Sequence, residues 1–134
     1  MPEKRATDVE FSACFSKEKI DSFKNKIPLV YKEIRKLRQG KISAFPSKIE
    51  CMTNAEIKEG KELGGGHGLY ILPARIKINR SMSSEGIFMN FIHENLHYAL
   101  PELQEKGIDI LTEYIGCRAG IGAKEICRFL EEAS

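Results

Sequence analysis

Residues 93 to 97 of the chain read HENLH, two histidines four positions apart with a glutamate directly after the first. On an α-helix, residues four apart are neighbours on one face, with Cβ atoms about 5–6 Å apart. His93 and His97 can therefore bind a single zinc ion, each through one nitrogen at about 2.0–2.1 Å. The helical period turns Glu94 about 100° from His93, which places it beside the metal rather than on it.

This arrangement is suited to hydrolysis by a metal-activated water. The metal lowers the pKa of its bound water and polarises a carbonyl group, while Glu94 accepts the proton as general base and passes it to a leaving amine. Peptide-bond hydrolysis is the expected reaction. The alternative is that the histidines are ordinary residues at the boundary of an amphipathic helix. The motif contains two of the chain's three histidines and lies in an apolar run, FIHENLHYAL, where unpartnered polar groups would be costly.

A hydrolytic zinc site needs a third protein ligand, and the sequence offers three candidates. Glu113 is the preferred one because it lies sixteen residues after His97, on a predicted helix that can fold back on the HENLH helix. Small residues follow it on the same face at Gly116, Cys117 and Gly120, so the two helices can approach closely. Asp109 lies one turn earlier but is better suited to the helix N-cap. His67 is the third candidate.

Hydrophobic periodicity predicts the helices that position these residues. Apolar residues at steps of three and four predict an amphipathic helix from Ser16 to Arg38, with a kink or a restart at Pro28. A second helix is predicted over 85–100, with Ser83 or Ser84 as N-cap and an end before Pro101. Two more follow, one in ILTEYIGCRAG capped by Asp109 and one ending in FLEEAS, separated by GIG at 120–122.

Between 41 and 80 the periodicity changes to that of strands. SKIECM, GLYIL and RIKINR predict three short strands, and the last two flank Pro73-Ala74 as an antiparallel hairpin. In RIKINR, Ile76 and Ile78 are expected to face the core and the polar residues to face outward, with this strand at an open edge. The polar stretch TNAEIKEGKELGGGHG is predicted to be a loop. The fold class is therefore α+β, with a small, three-stranded, mostly antiparallel sheet.

Composition limits the remaining possibilities. The 134 residues are enough for one domain, 1–134, with 1–15 as a flexible tail. Its 21 basic and 19 acidic residues are interspersed, which argues against a nucleic-acid partner. Neither a membrane span nor a signal peptide is visible, so the expected location is cytoplasmic and no membrane partner is expected. The four cysteines, at 14, 51, 117 and 127, form no CxxC pair and are expected to be free thiols, with a Cys14–Cys51 disulfide as the alternative.

HENLH followed by the glutamate of ILTEYIG resembles the zincin metallopeptidases of the gluzincin type, and the short chain is similar to the single-domain minigluzincins. The resemblance covers roughly residues 16 to 120 in element order, and only the motif is specific. It implies a Zn²⁺ cofactor bound by His93, His97 and Glu113, with Glu94 as general base. It also implies an extended peptide or protein substrate that adds as a strand along RIKINR. Tyr98, Tyr114 or His67 would have to stabilise the oxyanion.

Other functional hypotheses follow from the same residues. The short chain is compatible with a latent or narrowly specific enzyme, in which the GGGHG loop, the N-terminal tail or the C-terminal helix blocks the cleft. A different class is an inactive or regulatory zincin-fold protein that uses the metal structurally or binds a protein partner. A nucleic-acid accessory protein has little support. The sequence does not predict the oligomeric state.

Overall fold

The computed structural model describes residues 9–39, 45–62, 68–71, 75–121 and 124–133, which form an α+β fold. No helix among these residues is both long and apolar enough to cross a lipid bilayer. The strands are β1 (Glu10–Phe11), β2 (Lys48–Cys51), β3 (Gly68–Ile71) and β4 (Arg75–Ile78). The α-helices are α1 (Lys17–Asp21), α2 (Ile27–Leu37), α3 (Asn54–Glu62), α4 (Ser84–Ala99), α5 (Glu105–Arg118) and α6 (Lys124–Ala133), and a 3₁₀ turn at Lys24–Lys26 precedes α2.

The strands form one four-stranded sheet in the order β1-β2-β4-β3. β1 pairs with β2 and β2 with β4 in parallel, and β3 and β4 form the antiparallel pair. The predicted antiparallel pairing of the last two strands is confirmed, and the connection predicted at Pro73-Ala74 lies outside the described residues. The prediction of a three-stranded, mostly antiparallel sheet is wrong. Parallel pairing requires the chain to cross back between strands, and alternation within a strand carries no record of that path. β1, with two residues, is too short to show any alternation.

RIKINR lies inside the sheet, because β4 is hydrogen-bonded to β2 on one side and to β3 on the other. The predicted open edge at this strand is therefore wrong, and β3 forms that edge instead. Ile76 and Ile78 are fully buried, as predicted. Asn79 was expected to face outward but is buried, and its Oδ1 accepts a hydrogen bond from the Ser81 amide. It follows the last residue of β4, where strand alternation no longer fixes its direction.

Helix α4, which carries HENLH, is the centre of the core. It packs against β3, β4, α1, α2 and α5. Each fully buried isoleucine, leucine or phenylalanine contributes about 1.5–3 kcal/mol to stability, so these contacts fix the helix along its length. The apolar side chains of α4 that are fully shielded from solvent are Ile87, Phe88, Phe91, Ile92 and Leu96.

The helix boundaries follow most of the predicted signals. Ser83 is the N-cap of α4, where its Oγ accepts a hydrogen bond from the Gly86 amide, and Leu100 is the C-cap. The predicted helix from Ser16 to Arg38 is divided into α1, the 3₁₀ turn and α2, and Pro28 lies in the first turn of α2. The prediction of Asp109 as N-cap is wrong: α5 starts at Glu105 with Gln104 as its N-cap, so Asp109 is inside the helix.

The segment predicted to be a loop contains α3. The Thr53 Oγ1 accepts a hydrogen bond from the Glu56 amide, and Glu56 Oε1 accepts one from the Thr53 amide. This reciprocal pair is a capping box, which satisfies two free amides and so starts the helix. Lys77 on β4 then forms an ion pair with Glu56 at 3.1 Å. Residues 63–67, the remainder of that predicted loop before β3, lie outside the described residues.

The prediction of free thiols is wrong. Cys14 is bonded to Cys51 and Cys117 to Cys127, with Cα atoms 6.4 and 5.3 Å apart, both within the usual range for a disulfide. The Cys14–Cys51 bond joins the segment before α1 to the end of β2. Residues 9–15 thus belong to the fold rather than to the predicted tail. The cytoplasmic location stays a prediction, and these disulfides weigh against it, since such bonds persist in oxidising compartments.

The Glu56 contacts predict a pH-dependent contribution to stability. The Thr53 amide, with Lys77 as a further cause, lowers the pKa of Glu56. A lowered pKa in the folded state gives stabilisation that is present above the unfolded pKa and is lost as pH falls through the folded pKa. We expect Glu56→Gln to lower the free energy of unfolding at about pH 7 and to have little effect at about pH 2. Urea denaturation measures both values, with Glu59→Gln on the same helix as control. An equal loss at both pH values would contradict the prediction.

Candidate metal centre

The two histidines of HENLH meet a carboxylate from the next helix. His93 and His97 are on α4, and their Nε2 atoms are 3.1 Å apart. Glu105, in the first turn of α5, places Oε1 2.7 Å from Nε2 of His93 and Oε2 3.0 Å from Nε2 of His97. Among the described residues this is the group of His, Cys, Asp and Glu side chains whose geometry could hold a metal ion.

The two helices run antiparallel, which brings this group together. His93 faces residues near the start of α5, whereas Met89, one turn earlier on α4, faces Gly116 near its end. A Cβ added at Gly116 would lie 2.6 Å from Sδ of Met89. The predicted close approach of the helices at this small residue is confirmed. Cys117, the next of the predicted small residues, instead bonds to α6.

The two imidazoles and the Glu105 carboxylate are separated by distances close to those between neighbouring ligands of a tetrahedral metal ion. Bonds of about 2.0–2.1 Å to a tetrahedral zinc place neighbouring ligand atoms about 3.3 Å apart. The two Nε2 atoms are 3.1 Å apart, and each contacts a different oxygen of Glu105, at 2.7 Å from His93 and 3.0 Å from His97; these separations are slightly shorter. One ion could therefore bind both imidazoles and the Glu105 carboxylate after small side-chain rotations. The residues present fit a divalent metal.

The second nitrogen of His93 faces two acceptors. Oδ1 of Asp109 lies 3.3 Å and Oγ1 of Thr112 lies 3.5 Å from Nδ1. The Thr112 hydroxyl donates its proton to the Ile108 carbonyl at 2.7 Å, so it can only accept from the imidazole. Both neighbours therefore favour a proton on Nδ1, which leaves the lone pair of Nε2 for a metal.

The Glu105 carboxylate faces the Nε2 atoms of both imidazoles. It can accept hydrogen bonds from Nε2–H groups or share one cation with the two rings. Burial, followed by the proximity of His93, lowers the pKa of His97 below its usual range, although Glu105 opposes this shift. A neutral imidazole is the form that binds a metal. The lowered pKa of His97 is therefore compatible with metal binding.

Glu94 lies beside the histidines but is almost completely buried, with 5% of its surface exposed. Burial raises the pKa of Glu94 to about 8, and the negative charge of Glu105 adds to the effect. A cation held by the histidines would favour the charged form and oppose both causes. The carboxylate packs against β3, where a Cβ added at Gly68 would lie 2.9 Å from Oε2 of Glu94.

The other predicted ligands are placed differently. Glu113 is half-buried on α5 and is not part of the group formed by the two histidines and Glu105. Its role as a ligand stays a prediction. Asp109 approaches Nδ1 of His93, the nitrogen that faces away from Glu105, so it is placed to orient the ligand. His67 lies outside the described residues.

Sequence reasoning missed Glu105 because it placed the N-cap of α5 at Asp109, five residues after the observed N-cap, Gln104. A helix that begins directly after PELQ places Glu105 and Asp109 on one face, four residues apart. The spacing of Glu105 and Asp109 can be read from the sequence. It identifies Glu105 as a candidate ligand only once the helix start is known, because Glu105 is then in the turn nearest His97.

The chain has no significant match to any protein-family model, curated protein or solved structure. The resemblance to gluzincins therefore stays a prediction. The support for a metal centre is the geometry of His93, His97 and Glu105.

Metal binding can be tested on the purified chain. We expect one zinc per chain by elemental analysis, lost in His97→Ala because two protein ligands hold zinc too weakly. Isothermal titration with zinc should show Glu105→Gln weakened at least about tenfold, as is typical when a residue of the site is lost. Glu102→Gln, three residues earlier and paired with Arg38, is the matched control.

The same titration separates the two candidates for the third ligand. If Glu113→Gln weakens zinc binding and Glu105→Gln does not, Glu113 is the ligand and Glu105 only contacts the two histidines. If neither histidine nor carboxylate variants change the zinc content, the chain has no metal centre at this position.

Proposed function

We propose that the protein is a zinc-dependent metallopeptidase. His93, His97 and a carboxylate of α5, Glu105 in the observed geometry, would hold the ion. Glu94 would act as general base. The observation that supports this most directly is the convergence of His93, His97 and Glu105, whose ligand atoms lie within 4.8 Å of one another between a buried helix and the helix packed against it. Within HENLH, the two histidines would supply metal ligands, and Glu94, next to His93, would supply the general base.

When bound, zinc lowers the pKa of a coordinated water to about 7 and polarises the scissile carbonyl. The chain's own residues do the rest. Asp109 and Thr112 orient His93, and the core contacts of α4 hold His97 one turn away. Glu94, shielded from bulk solvent, accepts the proton and delivers it to the leaving nitrogen.

The proposed substrate is an extended peptide. In the sheet formed by the described residues, β3 is an edge strand, paired with β4 on one side, and it packs against α4. A peptide could add along its other side through main-chain hydrogen bonds, the usual mode of strand addition. This replaces the edge predicted at RIKINR, since β4 is inside the sheet. Gly68 is the residue of β3 that lies against Glu94, so the scissile bond would lie near the start of that strand.

The oxyanion-stabilising residue is less defined. Tyr114 lines a cavity of about 230 Å³ between α5 and α6, together with the Cys117–Cys127 disulfide. The Tyr98 ring lies 6.2 Å from that of Phe45, on the side of α2. Neither contact directs a tyrosine to the histidine pair. A chain that lacks such a donor would be a slow or narrowly specific enzyme.

The alternative proposal is a protein that uses the metal structurally. The burial of Glu94 favours it, because a carboxyl with a pKa of about 8 is largely protonated at neutral pH and is a poor base in that state. The enzyme proposal requires the bound cation to reverse this shift. The two proposals therefore differ in what Glu94 does.

Glu94→Gln distinguishes them. We expect the variant to keep its zinc and its melting temperature, since Gln has the same size. We also expect it to lose peptide cleavage by about 10²–10⁴-fold, the usual contribution of a general base. A library of quenched fluorescent peptides measures turnover, and intact mass over time, with and without chelator, detects self-cleavage that would release a latent form. Glu85→Gln, at the start of the same helix, is the control. Equal turnover in Glu94→Gln and the unmodified chain would rule out the enzyme proposal.

A further inference from the structure

Strand β3 crosses directly over Glu94 at Gly68. The position that a Cβ would take at Gly68 is 2.9 Å from Oε2 and 3.2 Å from Cγ of Glu94. It is also 3.3 Å from Oδ1 of Asn90, one turn earlier on the same face of α4. Real Cβ atoms almost never approach another heavy atom within 3.0 Å. With any other residue at position 68, the Glu94 carboxylate or the backbone of β3 would have to shift.

Strand β3 and Asn90 are both held in place around this contact, so the Glu94 side chain is the part that could move. Gly68 pairs with Ile78 of β4, a strand inside the sheet, and Ile78 is fully buried. Asn90 is held by a hydrogen bond from its Nδ2 to the Gly86 carbonyl at 2.8 Å. A methyl group at position 68 would therefore displace the Glu94 side chain or separate the start of β3 from β4.

The contact also accounts for how Glu94 is oriented. A glutamate side chain has three rotatable bonds and reaches a fixed place only when its neighbours restrict it. The backbone of β3 closes one side of the Glu94 carboxylate, and little of the residue remains exposed. His93 and His97 flank it on the same helix.

We propose that Gly68 is a positioning residue for Glu94: the missing side chain lets β3 press the carboxylate into its place beside the histidine pair. The inference deepens the proposed function and rests on it for the catalytic consequence. The contact itself is independent of any metal. Gly68 acts through Glu94 and is not itself a catalytic residue.

The contact can be tested by melting the metal-free protein in a double-mutant cycle. Gly68→Ala should lower the melting temperature by roughly 5 °C or more in the unmodified chain, because the added methyl meets the carboxylate. In Glu94→Ala, which opens the space, the same change should be neutral or slightly stabilising, since alanine restricts the unfolded chain. Glu94→Asp, shorter by one methylene, serves the same purpose should Glu94→Ala fold poorly.

Gly86→Ala is the matched control. A Cβ at Gly86 is equally crowded, 2.9 Å from Cε of Met82, but it does not touch Glu94. Its effect on melting should be the same with and without the Glu94 side chain. If Gly68→Ala is equally destabilising in both Glu94 backgrounds, the inference is overturned, whatever the status of the peptidase proposal.

The catalytic consequence is measured on the zinc-loaded chain. Gly68→Ala should lower kcat at least about tenfold with KM and zinc affinity unchanged, and should add nothing to the loss in Glu94→Gln. Coupling in the melting cycle with an unchanged kcat would overturn the positioning role. If the unmodified chain cleaves no peptide, the proposed function fails, and the melting cycle alone then decides the contact between Gly68 and Glu94.

Discussion

The antiparallel packing of α4 on α5 is the constraint on which the candidate site depends. The histidines come from one helix and Glu105 and Asp109 from the other, so their distances are set by how closely the two backbones approach. Gly116 permits that approach at one end, against Met89. At the other end, the turn after Pro101 is short enough to bring the first residue of α5 back to His97. A bulkier residue at 116 would therefore disturb ligands three turns away.

Charge is distributed around the site in a way that a cation would balance. Glu105 and Asp109 approach His93 from its two ring nitrogens, and Glu94 lies close enough to Glu105 for the negative charge to raise its pKa. The carboxylates of Glu105 and Asp109 are more than half exposed, whereas Glu94 is buried. Solvent thus screens the first two but not the third. The site is therefore open to solvent on the side of Glu105 and Asp109, whereas the Glu94 carboxylate is covered by strand β3.

Much of the site could be predicted from local sequence, because helical spacing fixes where His93 and His97 lie relative to each other. The α4 helix, its Ser83 cap and the burial of Ile76 and Ile78 follow from equally local signals. The predictions that were wrong concerned contacts between distant parts of the chain or the position of a helix boundary. Parallel strand order is decided by how the chain crosses over the sheet. The start of α5 decided which acidic residue meets the histidines.

The predictions of a loop at 54–62 and of free thiols were wrong because both features depend on specific side-chain contacts, which the composition of the chain does not reveal. The polar segment 54–62 has few apolar residues, and Thr53 and Glu56 start its helix through two hydrogen bonds rather than through burial. The cysteines are far apart in sequence at Cys14 and Cys51, and the fold brings them together across 37 positions. Neither feature is visible to an analysis of periodicity or of short cysteine motifs.

The placement of the covalent cross-links has one further consequence. Cys14–Cys51 fastens the region before α1 to the sheet, and Cys117–Cys127 fastens α6 to α5, but no cysteine lies in α4. The helix that carries HENLH is thus joined to its neighbours by packing and by polar contacts with α5, without a disulfide. If an ion binds at His93 and His97, a reductant would break both disulfides without removing a ligand of the ion, whereas a chelator would remove the ion and leave both disulfides intact.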